Sequence, residues 1–156
     1  MAVVHRSTHR GNARLAFWIN AYNALTIHGV LAYYPNIQSV LKVKPDFFKT
    51  KSRLVGSKNI SLDDIENKII RPEFNEPRIH AALNCASVSC PPLANFAFTE
   101  KGLNEQLTKV FGDFVNDTSR NQVDAASGTV MLSKIFDWYG VDFQKAGGPA
   151  KYMAAF

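Results

Sequence analysis

The sequence predicts an α+β domain: a buried central helix with two to four further helices packed on a small antiparallel sheet. Three observations lead there. The segment Leu15–Tyr34 (LAFWINAYNALTIHGVLAYY) carries apolar side chains around its whole circumference at helical spacing, as a helix enclosed on nearly all sides does. A second segment, from Thr99 to about Asn116, has the one-sided stripe Leu103, Leu107, Val110, Phe111, Phe114 and Val115 of a helix resting on a core. Two short stretches, 51–60 and 122–132, each place a turn glycine between strand-forming residues, which reads as a pair of hairpins.

The elements follow in order. Residues 1–13 read as a short, poorly ordered leader, residues 14–145 as one domain, and residues 146–156 as a C-terminal extension. Pro35 should stop the first helix. Asn20 and Asn23 share its face with Ala16, Ile27 and Leu31, and amides there must find partners. They either tie the helix to a neighbouring loop or orient a catalytic group. Lys51–Ile60 should turn near Gly56–Asn59. Ser61 then opens a helix with Asp64 completing a capping box, and Pro72 should end it. Arg78–Cys85 (RIHAALNC) reads as a buried strand running into a small-residue loop, ASVSCPP. Gln122–Leu132 should turn around Ser127–Gly128, Ser133 should start a short helix to Tyr139, and the Gly147–Gly148–Pro149 break should leave a fraying end.

Composition narrows the function classes. With 46% hydrophobic and 20% charged residues, the chain is neither disordered, collagen-like nor a coiled coil. No apolar run reaches the ~18 residues of a membrane span. The first fourteen residues lack the apolar core and cleavage site of a signal peptide. The net charge is +5, with a loose cluster of Lys42, Lys44, Lys49, Lys51 and Arg53 around Phe47 and Phe48. Such a mild excess reads as a solvated face, so nucleic acid is not expected as a partner.

Reactive residues concentrate in His80, Asn84, Cys85, Ser87, Ser89 and Cys90. A cysteine attacks as thiolate and needs a nearby base, here His80 or His28. On an extended strand His80 and Cys85 would lie about 16 Å apart on opposite faces, so their pairing requires a bend. Two inert buried thiols, or a disulfide between Cys85 and Cys90, are the alternatives. The His-x4-Cys-x4-Cys spacing fits no common zinc site, and no phosphate loop or dinucleotide fingerprint is present, so neither metal nor cofactor is expected.

Four blocks carry a family resemblance: AFWINAYNALTIH (16–28), ISLDDIENKIIR (60–71), EPRIHAALNCASVSCPPL (76–93) and LSKIFDWYGVDF (132–143). Together they resemble the domain of unknown function 547 family over residues 14–143. The residues that match its motifs are Asn20, Tyr22, Asn23, His28, Glu66, Arg78, His80, Cys85, Ser89 and Cys90. The resemblance implies no established reaction. It implies relatives in bacteria that look exported, which leaves the compartment open, and a family segment before the AFWIN block that is missing or very short here.

Two functions are weighed. One is a cysteine-dependent hydrolase or acyl-transferase, with Cys85 as nucleophile, His80 as base and Asn20 or Asn23 as the oxyanion-stabilising amide. The other is a non-catalytic module that takes a peptide or small-molecule ligand in a cleft lined by the same residues, with Glu66, His28, Tyr22, Arg78, Ser89 and Cys90 as binding residues.

Overall fold

Helix α1 spans Gly11–Leu31 in the computed structural model, which describes residues 10–51 and 53–156. It begins before the expected Leu15, so the predicted leader overlaps its first turn; residues 1–9 lie outside the described residues. Arg14 explains the early start. Its Nε and Nη2 donate to the two carboxylate oxygens of Glu73 at 2.7 and 3.0 Å, and its guanidinium lies over the Trp18 ring. That pair anchors a polar turn that has no apolar signal of its own. Further along, Leu15, Ala16, Trp18, Ile19, Tyr22 and Leu25 are buried. The expected burial on all sides does not persist to the end: Ala24, Ile27, His28 and Leu31 emerge on one face.

The chain forms two compact units. The first comprises the chain up to Asn75 together with Phe96–Leu103, and the second comprises Glu76–Asn95 and Asn104–Phe156. In the first unit, strands β1 (Arg53–Val55) and β2 (Lys58–Ile60) pair antiparallel, with Leu54 opposite Asn59. The Ser61–Asp64 capping box is reciprocal: Asp64 N donates to Ser61 Oγ at 3.0 Å, and Ser61 N donates to Asp64 Oδ2 at 3.3 Å. The helix it opens does not stop at Pro72. It widens into a π-helical stretch, Asp64–Ile70, and continues as α2 (Arg71–Phe74). The wide turns, with Arg71 N donating to Glu66 O, accommodate a proline whose missing N–H would break a regular α-helical ladder. Asn75, at φ 45°, ends it.

The second unit corrects one element. Pro77–Ala81 is a 3₁₀ helix, where a buried strand was expected from Arg78 to Cys85. Pro77 presets the helical φ, and the Glu76 side chain accepts from Arg78 N. A short apolar run cannot by itself distinguish a strand from a buried helical turn. Helix α3 (Leu103–Val115) lies in this unit apart from its first residue. Strands β3 (Gln122–Asp124) and β4 (Thr129–Met131) form the second hairpin. Ser133 caps α4 (Lys134–Trp138) by accepting from Ile135 N.

The core of the second unit is aromatic: Phe111, Phe114, Phe136 and Phe143 pack together with Ala81, Cys90 and Ile135. The C-terminal stretch, expected to fray, is helical and packed on this core. Gly148 leads into α5 (Pro149–Met153), and Tyr152 and Phe156 bring their rings to 5.3 and 4.8 Å from that of Phe111. The fold is α+β, with its strands divided between two separate hairpins. Among the described residues no helix is long and apolar enough to cross a membrane.

Candidate functional site

The ten sequence-predicted residues fall five to each unit. Asn20, Tyr22, Asn23, His28 and Glu66 belong to the first, and Arg78, His80, Cys85, Ser89 and Cys90 to the second.

In the second unit the reactive groups are engaged with one another. Cys85 and Cys90 form a disulfide with their Cα atoms 6.5 Å apart, and neither cysteine is free. A thiolate at Cys85, the expected nucleophile, would require reduction of this bond. Cys90 is buried and Cys85 half-buried against the aromatic core. His80 is buried on the 3₁₀ turn, its Nε2 2.8 Å from Asp142 Oδ2 and its ring stacked on Tyr139 at 4.0 Å. Arg78 is held at all three nitrogens: Nε and Nη2 grip Glu76 at 2.8 and 2.6 Å, while Nη1 donates to Thr108 Oγ1 and to the Asn104 side chain and carbonyl. The Glu76 carboxylate raises the Arg78 pKa above its ordinary value. Ser89 donates its backbone N–H to Ser87 Oγ at 3.2 Å, and its carbonyl accepts from Ser133 Oγ at 2.8 Å.

In the first unit Asn20 is held by one distant residue. Its amide donates to Phe98 O at 2.8 Å and accepts from Phe98 N at 2.9 Å, which ties α1 to a distant segment and occupies both ends of the group. Asn23 and Tyr22 are buried in α1. Glu66 is buried in the π-helical stretch and makes no ion pair among the described residues.

His28 alone of the ten lines a cavity of about 490 Å³ wholly inside the first unit. α1 supplies Ala24, Leu25, His28 and Gly29, the turn beyond it Ala32 and Tyr33, the segment 43–50 Val43, Pro45, Asp46, Phe47 and Thr50, and β1 Arg53 and Leu54. Its volume falls within the range of small-molecule sites, and its wall is mostly apolar. Gly29 allows the wall to close. A Cβ there would stand 2.7 Å from Arg53 Nη2 and 2.9 Å from the Phe47 ring, so only glycine admits both side chains against the helix.

Arg53 is the group that the sequence reading missed. Its guanidinium sits 5.1 Å from the Phe47 ring centroid and half-buried. It donates to three carbonyls at long distances: Nε to Leu25 O at 3.4 Å, and Nη1 to Phe47 O at 3.3 Å and Thr50 O at 3.5 Å. Burial pulls its pKa below the ordinary value, opposed by the phenols of Tyr33 and Tyr22. The signal that could have found it was present: one arginine among apolar strand residues, beside Phe47, within a cluster assigned to the solvated surface. Among the described residues no group of three or more His, Cys, Asp or Glu could hold a metal ion.

A family model described as "Protein of unknown function, DUF547" matches residues 6–115, well over half of the chain. No curated protein and no solved structure matches it.

Proposed function

From the premise that this chain belongs to the DUF547 family, we propose that it is a non-catalytic module that binds a small organic ligand in the cavity of its first unit. The observation that carries this reading is the cavity itself: a mostly apolar hollow of about 490 Å³ with two charged side chains, Arg53 and Asp46, in its wall. Few polar groups in a mostly apolar concavity is the ordinary composition of a small-molecule site. The competing hydrolase needs a free thiolate, and both sulfurs are committed to a disulfide. The ligand-binding residues are therefore His28, already expected, with Phe47 and Arg53 in place of the second-unit group.

Two fluorescent dyes with the same aromatic body test this on the full chain: neutral phenylnaphthylamine and its sulfonated relative, anilinonaphthalene sulfonate. At least one should bind saturably at one site per chain. Ala24→Trp should abolish that binding, because Ala24 is exposed and lines the cavity, so a large ring there fills the hollow without entering the core. Circular dichroism confirms that the variant is folded. Absence of saturable binding by either dye, or binding unaltered in Ala24→Trp, overturns the proposal.

A further inference from the structure

We infer that the ligand is a singly charged organic acid, an oxyanion on an apolar body, held by the guanidinium of Arg53. This inference rests on the binding reading above and specifies its chemistry. A guanidinium carries five N–H donors. Those of Nε and Nη1 reach neutral carbonyls at the long limit of hydrogen bonding. Nη2 makes no hydrogen bond among the described residues, although it is not sealed from solvent. No carboxylate pairs with Arg53 among the described residues, whereas Arg14, Arg78 and Arg120 each hold one.

A half-buried cation in an apolar wall costs solvation that three carbonyl dipoles only partly restore. An oxyanion supplies what is missing, with charge-assisted bonds stronger than neutral ones. The nearest competitor is Asp46, which also lines the cavity. Its Oδ1 is turned to the backbone N–H groups of Phe48 and Lys49 at 2.9 and 3.0 Å. The surroundings favour the same sign of ligand: an adjoining hollow of about 290 Å³ shares Tyr33 and Val43 and is lined by Lys42 and Lys44. With the Asp46 carboxylate engaged by the backbone, the one guanidinium in the wall is left to match one negative charge, and the mostly apolar remainder matches an aromatic or alkyl body.

The two dyes separate this inference from the reading beneath it, because they differ by the sulfonate. Arg53→Met should weaken the sulfonated dye about ten- to a hundredfold, the worth of a charge-assisted hydrogen bond, and leave the neutral dye essentially unchanged. Arg53→Lys should recover part of the loss. Arg53 also braces three carbonyls, so Ala24→Glu supplies a second test at an exposed position of the wall. A carboxylate placed there should repel the sulfonated dye selectively. If both dyes respond equally to Arg53→Met and Ala24→Glu, or neither responds, the anion assignment is overturned while the cavity reading stands. If neither dye binds the wild-type chain, the cavity reading falls, and the anion assignment with it.

Discussion

The two units differ in how completely their charged groups are partnered. In the second unit, buried polar side chains bind each other or the backbone. Asn121 donates to Phe114 O at 2.7 Å and accepts from Ser133 N at 3.0 Å, Ser133 Oγ reaches Ser89 O, and Arg120 Nε reaches Cys90 O at 3.0 Å. His80 has Asp142 and Arg78 has Glu76. Around this closed network lies a core of phenylalanine rings. In the first unit, Arg14 and Asp64 are paired, but Arg53 has only carbonyls and Glu66 no ion pair among the described residues. A closed network rigidifies and specifies a core, whereas a charge beside a hollow that is held only by carbonyl dipoles costs stability unless an opposite charge binds. The difference is the ground on which the proposed reading gives His80 and Cys85 to the scaffold and recognition to Arg53.

The strongest way to break this contrast is through the cores. Phe111 is fully buried, with the rings of Phe114, Phe136, Phe143, Tyr152 and Phe156 around it. Phe111→Ala should cost about 3–5 kcal/mol by urea denaturation, because a close-packed ring cluster cannot collapse into the space. Phe47→Ala should fall at or below the low end of that range, since its ring already borders the cavity. Equal losses would mean that the first unit is packed as tightly as the second.

The disulfide comes next in size. Cys85 and Cys90 are five residues apart, and closing so short a loop restrains the unfolded chain by about 2 kcal/mol. The Cys85→Ser, Cys90→Ser chain should lose about that much, and the oxidised wild type should weigh two hydrogens less than the reduced form. Reduction also tests chemical closure. In Cys90→Ser, Cys85 should alkylate slowly, with a pKa at or above the free value of ~8.5. A pKa well below it, restored to normal by His80→Ala, would reinstate the thiol nucleophile with Asp142 orienting its base.

Much of the local structure was legible. The Ser61–Asp64 box, both hairpins and the Ser133 cap follow from near-neighbour chemistry, which a sequence displays directly. The family was legible too, because three of the four blocks, 16–28, 60–71 and 76–93, are contiguous stretches inside the matched residues 6–115. What was not legible depended on contacts between distant residues. RIHAALNC has the apolar run of a strand, and only Pro77 and Glu76 hint that it starts as a helical turn. Tyr152 and Phe156 follow a glycine break that reads as an end, yet their partner Phe111 lies on α3. Arg53 belongs to a basic cluster, and nothing local shows that Gly29, on another element, makes room for it. The candidate site was accordingly the least legible part: of ten residues proposed, only His28 lines the cavity.

The smallest effect sharpens the contrast through acid. Asp64 caps the first unit's π-helical stretch nine-tenths buried, and a hydrogen bond from Lys68 at 2.6 Å, with those from Ser61, lowers its pKa to about 2. A carboxylate whose folded pKa is depressed stabilises the fold above its unfolded value and loses that contribution as pH falls through the folded one. The window therefore runs from the ordinary 3.8 down to about 2. Lys68 is mostly exposed, so its share is screened and the effect is that of a cap, about 1 kcal/mol. Asp64→Asn should be less stable than wild type by that amount at neutral pH, and the gap should close between 3.8 and about 2. The two tryptophans localise it: Trp18 is buried in the first unit and Trp138 exposed in the second. In a Trp138→Phe background the Trp18 signal should carry the whole pH-dependent difference. A gap constant through that window would mean that Asp64 acts through its shape and neutral hydrogen bonds, and that the first unit's cap is as indifferent to charge as the closed network of the second.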